Sequence, residues 1–402
     1  MVKIRSHSIL NNMHLLEQYS LASGVKIKKP YIYEKFFPVT ADKYITFHPS
    51  SKPSKTYDYW QEVINIISPI LDSKGIKIIQ LGQEKEKVYS GVVSLVGFTN
   101  INQTAFVLRE CLLHFGADSF PTHIASGYNK KIVALYSNNY VNCVKPFFGN
   151  PKDHVLLEPK RNSKPTFSFE ENPKTINSIK PETIAGNILN LLEIPHLNSI
   201  QTLYFGTEYN NMRLEMVPNQ VVNPSQFNSN NIVVRMDLQH DEKFLNEQLQ
   251  VCQCFIITDK PIDANLISNN QKNIGKIFYE IKEDSSLEFT NFLAHKNISY
   301  QLFTYLQGEK LEQAKLKYLD QELIIEMPTN LKQKTGVEYT LNAFYKSNKR
   351  IISNGKIYLS ESSLKHGMEA KQIAEPIIDC PEFWKEVESF WIFRVDKSPV
   401  AA

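Results

Sequence analysis

The stretch that most restricts the fold is residues 112–136, LLHFGADSFPTHIASGYNKKIVALY. Leu112–Phe115 reads as a short apolar strand and Gly116–Ser119 as a polar turn. Pro121–Ser126 suits the first turn of a helix, where the missing N–H of proline has no intrahelical partner to lose. Lys131–Tyr136 is a second strand. Strand, polar turn, short helix and strand make a βαβ unit, which commits its neighbourhood to a parallel α/β sheet. Such sheets take ligands at the carboxyl ends of their strands. The free N–H groups and dipole of the helix start favour an anion there, such as a diphosphate. On spacing alone, Asp118 is equally a helix cap and His123 a satisfied polar residue.

Upstream lies a second unit of the same kind. Tyr44–Phe47 has the β-branched and aromatic content of a strand. It ends in the polar loop His48-Pro49-Ser50-Ser51-Lys52, with Lys55 and Trp60 beyond. Asp58–Leu71 places Trp60, Val63, Ile64, Ile67 and Ile70 at helical spacing, so it predicts a helix packed on a sheet. Lys77–Gly82 is the next strand, followed by Gln83, Glu84 and Glu86. Ser94–Thr99 reads as a short strand leading to Asn102 as helix N-cap and Thr104–Cys111 as the helix. His154–Leu157 is strand-like, and Pro181–Leu192 is an amphipathic helix with proline in its first turn. Before all this, Leu10–Ala22 is compatible with a helix, and Pro30 to Pro38, rich in Tyr and Phe, reads as an extended linking segment.

Asp118-Ser119-x-Pro121-x-His123-x-Ala125 resembles the D-S-G-P-x-H-x-A signature of the heptosyltransferase family. These are glycosyltransferases of the two-Rossmann-domain (GT-B) architecture that use a nucleotide-activated sugar. The loop at residues 48–55 with Trp60 is similar to the opening of the family's donor domain, Gly97-x-Thr99 to its G-x-T/S, and Pro181–Leu192 to its closing helix. The resemblance spans about Tyr44–Glu193. It implies that Ser50, Ser51 and Lys55, with Lys52 as an alternative, meet the donor phosphates. It also implies that Glu84 meets the ribose or base, that Thr99 lies beside the nucleotide, and that Asp118, Ser119 and His123 complete the site. The nucleotide-diphosphate sugar is then a substrate, with no cofactor and no metal. A lysine with hydroxyl and backbone donors stabilises a departing diphosphate without one. Phe120 stands where the family has the glycine that lets backbone approach the phosphates.

At 402 residues the chain is too long for one typical core. The division expected is an N-terminal helical or extended segment at 1–43, the donor-like Rossmann-like domain at 44–196, and a second α/β domain at 198–402, with Pro195–Ser199 as linker. In the last part, Ile232–Met236, Cys254–Thr258, Lys276–Ile281, Ser299–Leu306 and Glu322–Glu326 read as strands. Helical stretches Lys243–Gln250, Leu287–His295 and Lys310–Leu319 alternate with them. Tyr339–Tyr345, Arg350–Ser353 and Lys356–Leu359 are close strands around Ser347-Asn348 and Asn354-Gly355, the latter a strong hairpin signal. Glu382–Phe390 predicts a final helix. The fold class is therefore α/β, two Rossmann-like domains of GT-B type with a hairpin-rich C-terminal part. The donor-like domain comes first, whereas the family places its acceptor domain first. No family acceptor motif appears in the second half. Transfer to a hydroxyl needs a general base, and Asp237 and Asp259, each just after a predicted strand, are the sensible positions, with His240 and Asp241 next.

A net charge of +3 is too mild to argue for nucleic acid, which would show a concentrated basic patch. Five cysteines form no paired framework, and Cys252-x-Cys254 is too close for a zinc knuckle. There is no signal-like N-terminus and no stretch near the ~20 apolar residues of a membrane span, so a cytoplasmic protein with reduced thiols is expected. The leading reading is sugar transfer from a nucleotide-sugar to a hydroxyl acceptor, a glycan or a lipopolysaccharide-type molecule. The alternative is a non-catalytic glycosyltransferase-like binding or structural module. A third is another GT-B-like enzyme, such as a nucleotide-sugar epimerase.

Overall fold

Six short runs of mainly apolar residues form one parallel sheet: β1 (Tyr44–His48), β2 (Lys77–Gln80), β3 (Val93–Ser94), β4 (Leu113–Ala117), β5 (Lys131–Leu135) and β6 (His154–Leu157). The computed structural model describes residues 13–161, 163–197, 199–206, 208–209, 212–329, 331–335, 337, 342–371 and 374–395. They fall into two compact units, the first ending at Thr202 and the second beginning at Leu203.

In the first unit the strand order is β3-β2-β1-β4-β5-β6. The order reverses between β1 and β4, so the chain leaves these neighbours toward opposite sides and a crevice opens beyond their carboxyl ends. All of β4 is buried, His114 included, as befits a strand at the centre of a parallel sheet. The helices are α1 (Leu15–Ser23), α2 (Trp60–Asp72), α3 (Ile101–Glu110), α4 (Phe120–Gly127), α5 (Val141–Val144) and α6 (Pro181–Leu191). Helix α2 buries Trp60, Val63, Ile64, Ile67 and Leu71, and the Trp60 ring meets Phe47 edge-on at 5.2 Å.

Two local expectations need correction. Only Val93–Ser94 pairs with β2; the rest of Ser94–Thr99 turns away through Gly97 at φ +78°. The cap of α3 is Asn100, not Asn102. Asn100 accepts from the Gln103 N–H, and the Gln103 side chain accepts from the Asn100 N–H, a reciprocal capping box. The same side chain at 102 has no such partner three residues on. Of Leu10–Ala22, residues 10–12 lie outside the described residues; the helix is α1, capped by His14 with Glu17.

The second unit holds an eight-stranded sheet. Its strands β8 (Arg213–Met216), β9 (Ile232–Arg235), β10 (Cys254–Thr258), β11 (Ile274–Glu280), β12 (Tyr300–Thr304) and β13 (Ile324–Glu326) lie side by side in chain order, all parallel. Strand β15 (Lys349–Ser353) joins β8 in parallel, and β16 (Lys356–Tyr358) closes the edge antiparallel. From β8 to β13 the order never reverses, and right-handed crossovers then put the connecting helices on one face. The strands record this. Cys254, Ile256 and Thr258 are buried while Phe255 and Ile257 between them are only partly so. The buried face shares one core with Leu245, Leu249, Ile267, Phe289 and Leu293 of the helices. This sheet is parallel α/β as expected; its order runs one way from β8 to β13 and turns back only afterwards, when β15 docks on the other side of β8. A four-stranded sheet, β17 (Glu375–Pro376), β14 (Ala343–Ser347), β18 (Phe390–Val395) and β7 (Ile200–Phe205), accompanies it.

Asn354 and Gly355, both at positive φ, close the β15–β16 hairpin as their sequence predicts. Ser347-Asn348 makes no hairpin, because β14 and β15 belong to different sheets. Residues 339–341 of the expected Tyr339–Tyr345 strand lie outside the described residues. The expected Glu382–Phe390 helix is only Pro381–Lys385, then a 3-10 turn at Val387–Ser389. Phe390 opens β18, where the aromatic and β-branched run FWIF favours the extended chain.

A buried charge cluster sits on this unit's sheet. Arg235 holds Glu215 at 2.6 Å and both oxygens of Asp237 at 2.8 and 2.7 Å, and also bonds Glu361. Lys349 reaches Glu386 at 3.2 Å and Glu215 at 3.6 Å. Burial pushes the Glu386 carboxyl up to about 8, against the pull of Lys349. Glu386 thus keeps its proton in the folded state where the unfolded chain has released it. Stability is expected to fall as pH rises from about 4.5 toward 8 and to level off above. Glu361, which Arg235 and Lys349 hold at about 2 against the cost of its burial, acts only below about 4.5 and does not mask this. Glu386→Gln, which copies the protonated acid, should flatten the decline. Urea midpoints of both proteins at about pH 5 and about pH 8 check it; parallel shifts would reject the assignment.

Candidate functional site

The switch point is built around one glycine. Gly116 pairs with His48 across β4 and β1, with φ +155°. A Cβ on it would stand 2.1 Å from the His48 carbonyl oxygen, so only glycine lets the two strand ends run this close. Two residues later the chain delivers Asp118, then Ser119 as the N-cap of α4.

Asp118 is buried and its carboxylate is engaged on both sides. Lys55 Nζ lies 2.5 Å from Oδ2, and His123 Nε2 lies 3.8 Å from Oδ1. Burial alone would raise the Asp118 carboxyl, but His123 and Lys55 hold it below the usual carboxylate range. The Ser51 hydroxyl donates to the Asp118 carbonyl at 2.9 Å. Ser119 Oγ lies 2.8 Å from His48 Nδ1. Burial lowers His48, so at neutral pH it is uncharged, although Glu86 opposes this from 3.8 Å. The loop after β5 is tied to the loop after β1: Asn138 donates to Ser54 Oγ at 2.9 Å, and Ser137 to the Ser54 carbonyl at 2.7 Å.

These loops open on a cavity of about 800 Å³ within the first unit. Its polar wall carries Lys52, Lys55, Asp118, Ser119, His123 and Asn138. Its other walls are mostly aromatic and aliphatic, among them Phe120, Phe147, Phe148 and Phe167. Ser126, also in the lining, has a buried hydroxyl with no partner, a donor and acceptor left for a ligand. Phe120, at the position of the family's glycine, is 42% exposed and stands in the lining.

Lys55, Asp118, Ser119 and His123 are therefore brought together at one cavity, with Ser51 directly behind them. The alternative lysine, Lys52, lines the same cavity. Ser50 is half-buried in the same loop but outside the lining. Glu84 is exposed in the turn after β2, packed by backbone against Gly97, and is not in the lining. Thr99 bonds the Thr104 hydroxyl at 2.9 Å, which ties its turn to α3. Asp237 and Asp259 belong to the second unit. Asp237 is chelated by Arg235, and Asp259 pairs through Oδ2 with Lys282 at 2.6 Å. Asp241 caps the helix Glu242–Val251, and His240 lies 3.5 Å from Glu242. Among the described residues no group of three or more His, Cys, Asp or Glu is placed to hold a metal ion.

Two contributions were not legible beforehand. His48 is one; its signal was a histidine ending the strand beside Gly116. The other is the segment before β1. His14, Leu15, Tyr31 and Tyr33 line the cavity, so the Tyr- and Phe-rich stretch is a wall rather than a free link.

The match to a known family covers the stretch from β1 to the loop after β6. The sequence model of glycosyltransferase family 9 (heptosyltransferase) matches residues 5–176. A search of the curated proteins found no match. Among solved structures, the ADP-heptose LPS heptosyltransferase II of E. coli is 17% identical over 39% of this chain and 48% of that one, with a TM-score of 0.31. The glycosyl transferase family 9 from Veillonella parvula DSM 2008 is 20% identical over 38% and 46%, at 0.32. The E. coli heptosyltransferase WaaC with ADP is 15% identical over 46% and 58%, at 0.33. The chain thus spans about half the length of the solved structures it matches. Residues 5–176 therefore resemble glycosyltransferase family 9 (heptosyltransferase).

Proposed function

We propose that the protein transfers a sugar from a nucleotide-diphosphate sugar to a hydroxyl acceptor, a glycan or a lipopolysaccharide-type molecule. The observation that carries this reading is the convergence of Lys55, Asp118, Ser119 and His123 on one cavity at the reversal of strand order. A diphosphate leaving group gains negative charge as the glycosidic bond breaks. Lys55 and the start of α4 are the groups here that stabilise it, and preorganised donors of this kind act strongly where water is excluded. Asp118 holds Lys55 in place, so the ammonium meets the donor without reorganising. Ser50 and Ser51 supply hydroxyls in the same loop, and Glu84 and Thr99 are proposed for the nucleotide end. The acceptor hydroxyl must lose a proton. Of the two aspartates proposed as base, Asp259 is the better, since its ion pair uses Oδ2 whereas Arg235 takes both oxygens of Asp237.

Two observations favour the non-catalytic reading: the Phe120 ring lines the cavity where the family's glycine would leave space, and Asp118 already compensates Lys55. Calorimetric titration with a panel of nucleotide-diphosphate sugars separates the two. In a transferase, Lys55→Ala removes a charge-assisted contact and weakens the donor by about ten- to a hundredfold, roughly 1.5–3 kcal/mol. Phe120→Gly then also lowers affinity, because the ring packs on the donor. If Phe120→Gly instead raises affinity, the ring closes the phosphate space and the protein is a module. If no nucleotide-sugar binds to any of the three proteins, and neither transfer nor donor hydrolysis occurs, the transferase reading fails.

A further inference from the structure

We infer that residues 25–36 form a docking surface for an anionic lipid bilayer. The stretch reads VKIKKPYIYEKF. Residues 25–31 are all exposed, and from Tyr31 to Glu34 exposed and half-buried residues alternate, as in a strand with one face down. Ile32 points inward, where Gly127 leaves it room: a Cβ on that glycine would stand 2.7 Å from Ile32 Cδ1. Glu34 points inward too, bonded to Arg109 and accepting from the Tyr128 hydroxyl at 3.1 Å. The Lys35 N–H donates to the Asn102 carbonyl at 3.0 Å, which pins the backbone.

What this anchored stretch turns outward is apolar and basic together. Tyr31 is 89%, Tyr33 62% and Phe36 70% exposed, and Val25 and Ile27 are exposed as well. Lys26, Lys28, Lys29 and Lys35 are all exposed, with no acidic partner among the described residues. The one acid of the stretch, Glu34, is spent on Arg109. Tyr31 and Tyr33 share the cavity lining with exposed Ile101 and Phe120, so the aromatic patch is continuous with the cavity. A contiguous patch of this kind, unlike scattered surface leucines, marks an interaction site.

The chemistry selects the occupant. Amphipathic tyrosine rings belong at the boundary between hydrocarbon and water. Lysines beside them match the negative potential of anionic headgroups. A surface that only solvates would not hold rings outward on a pinned backbone. Among the described residues no helix is long and apolar enough to cross a membrane, so the contact is with the bilayer surface. This inference stands whether or not the cavity holds a nucleotide-sugar.

The test is co-sedimentation of the full chain with phosphatidylcholine vesicles, with and without phosphatidylglycerol. Binding is expected to the anionic vesicles only, and more than tenfold weaker when salt rises from about 0.05 to about 0.5 M. Replacing Lys26, Lys28 and Lys29 together by alanine should weaken it about a hundredfold, roughly fivefold per lysine. These three lie outside the cavity, so nucleotide-sugar titrations should not change. Tyr31→Ser with Tyr33→Ser should remove most of the salt-resistant remainder. No binding to anionic vesicles, equal binding by the lysine variant, binding to heparin but not to vesicles, or self-association in place of vesicle binding would each overturn the inference.

Discussion

Arg235→Met is expected to destabilise the second unit by about 3–5 kcal/mol, the cost of stranding buried charges by removing their partner. Arg235 pairs with Glu215, Asp237 and Glu361 at once. Methionine fills much of the same volume, so the loss is electrostatic rather than a cavity. Of the three acids, Glu215 suffers most: it is buried, and among the described residues its remaining ion-pair partner is Lys349 at 3.6 Å, with Arg213 acting from farther away. Denaturant unfolding at neutral pH measures the effect, read as a shift in midpoint with unchanged slope. The companion Arg235→Met with Glu215→Leu removes the stranded charge and should recover a good part of the loss. A loss below about 1 kcal/mol would mean that the cluster behaves as a solvated surface network.

Gly116→Ala should cost about 3 kcal/mol or more and weaken ligand binding at the cavity as well. The new methyl would meet the His48 carbonyl oxygen at 2.1 Å, an atom of backbone that cannot swing aside as a flexible side chain could. The φ of +155° adds strain for any residue with a Cβ. Both strands must part at the point where their loops present Lys55 and Asp118. Overpacking of a core costs about 1–3 kcal/mol and an unfavourable backbone as much again. Thermal unfolding and ligand titration together check it. Full stability with lost binding, or the reverse, would show that the glycine serves only one of the two roles.

Much of the first unit was legible because each strand and helix carried its own local signal. The Phe115–Tyr136 stretch gave the βαβ unit, and Trp60 with Val63, Ile64 and Ile67 gave the face of α2. The site was legible to the extent that it sits on loops directly after strands: Lys55, Asp118, Ser119 and His123 meet in the fold as their positions imply. Their mutual pairing was not legible, since nothing in a linear pattern says that Lys55 will be held by Asp118. The wall made by Tyr31 and Tyr33 was hidden for a related reason. An extended segment without a sheet partner looks like a link until Gly127 and Arg109 are seen beneath it. In the second unit, alternation of strands and helices told of a parallel sheet but carried no information on strand order. The hydrophobic spacing Trp384, Val387, Phe390 suits a helix, yet Phe390 belongs to a strand, because the partners that decide it lie far away in sequence.

The one-way run from β8 to β13 has a consequence for how the chain tolerates changes of length. A run that gains one strand per crossover, always on the same side, has no internal reason to stop. A further strand–helix pair inserted after β13 would dock on that edge and cover itself with its own helix, leaving every earlier register intact. The first sheet grants no such freedom, since an insertion beside β1 or β4 would pry apart the crevice. What ends the second sheet is its brevity at the margins: β13 and the antiparallel β16 have three residues each. Short stubs give a neighbouring chain little edge to pair with. They act as end stops on an otherwise open series, and they mark where this protein can be lengthened without being rebuilt.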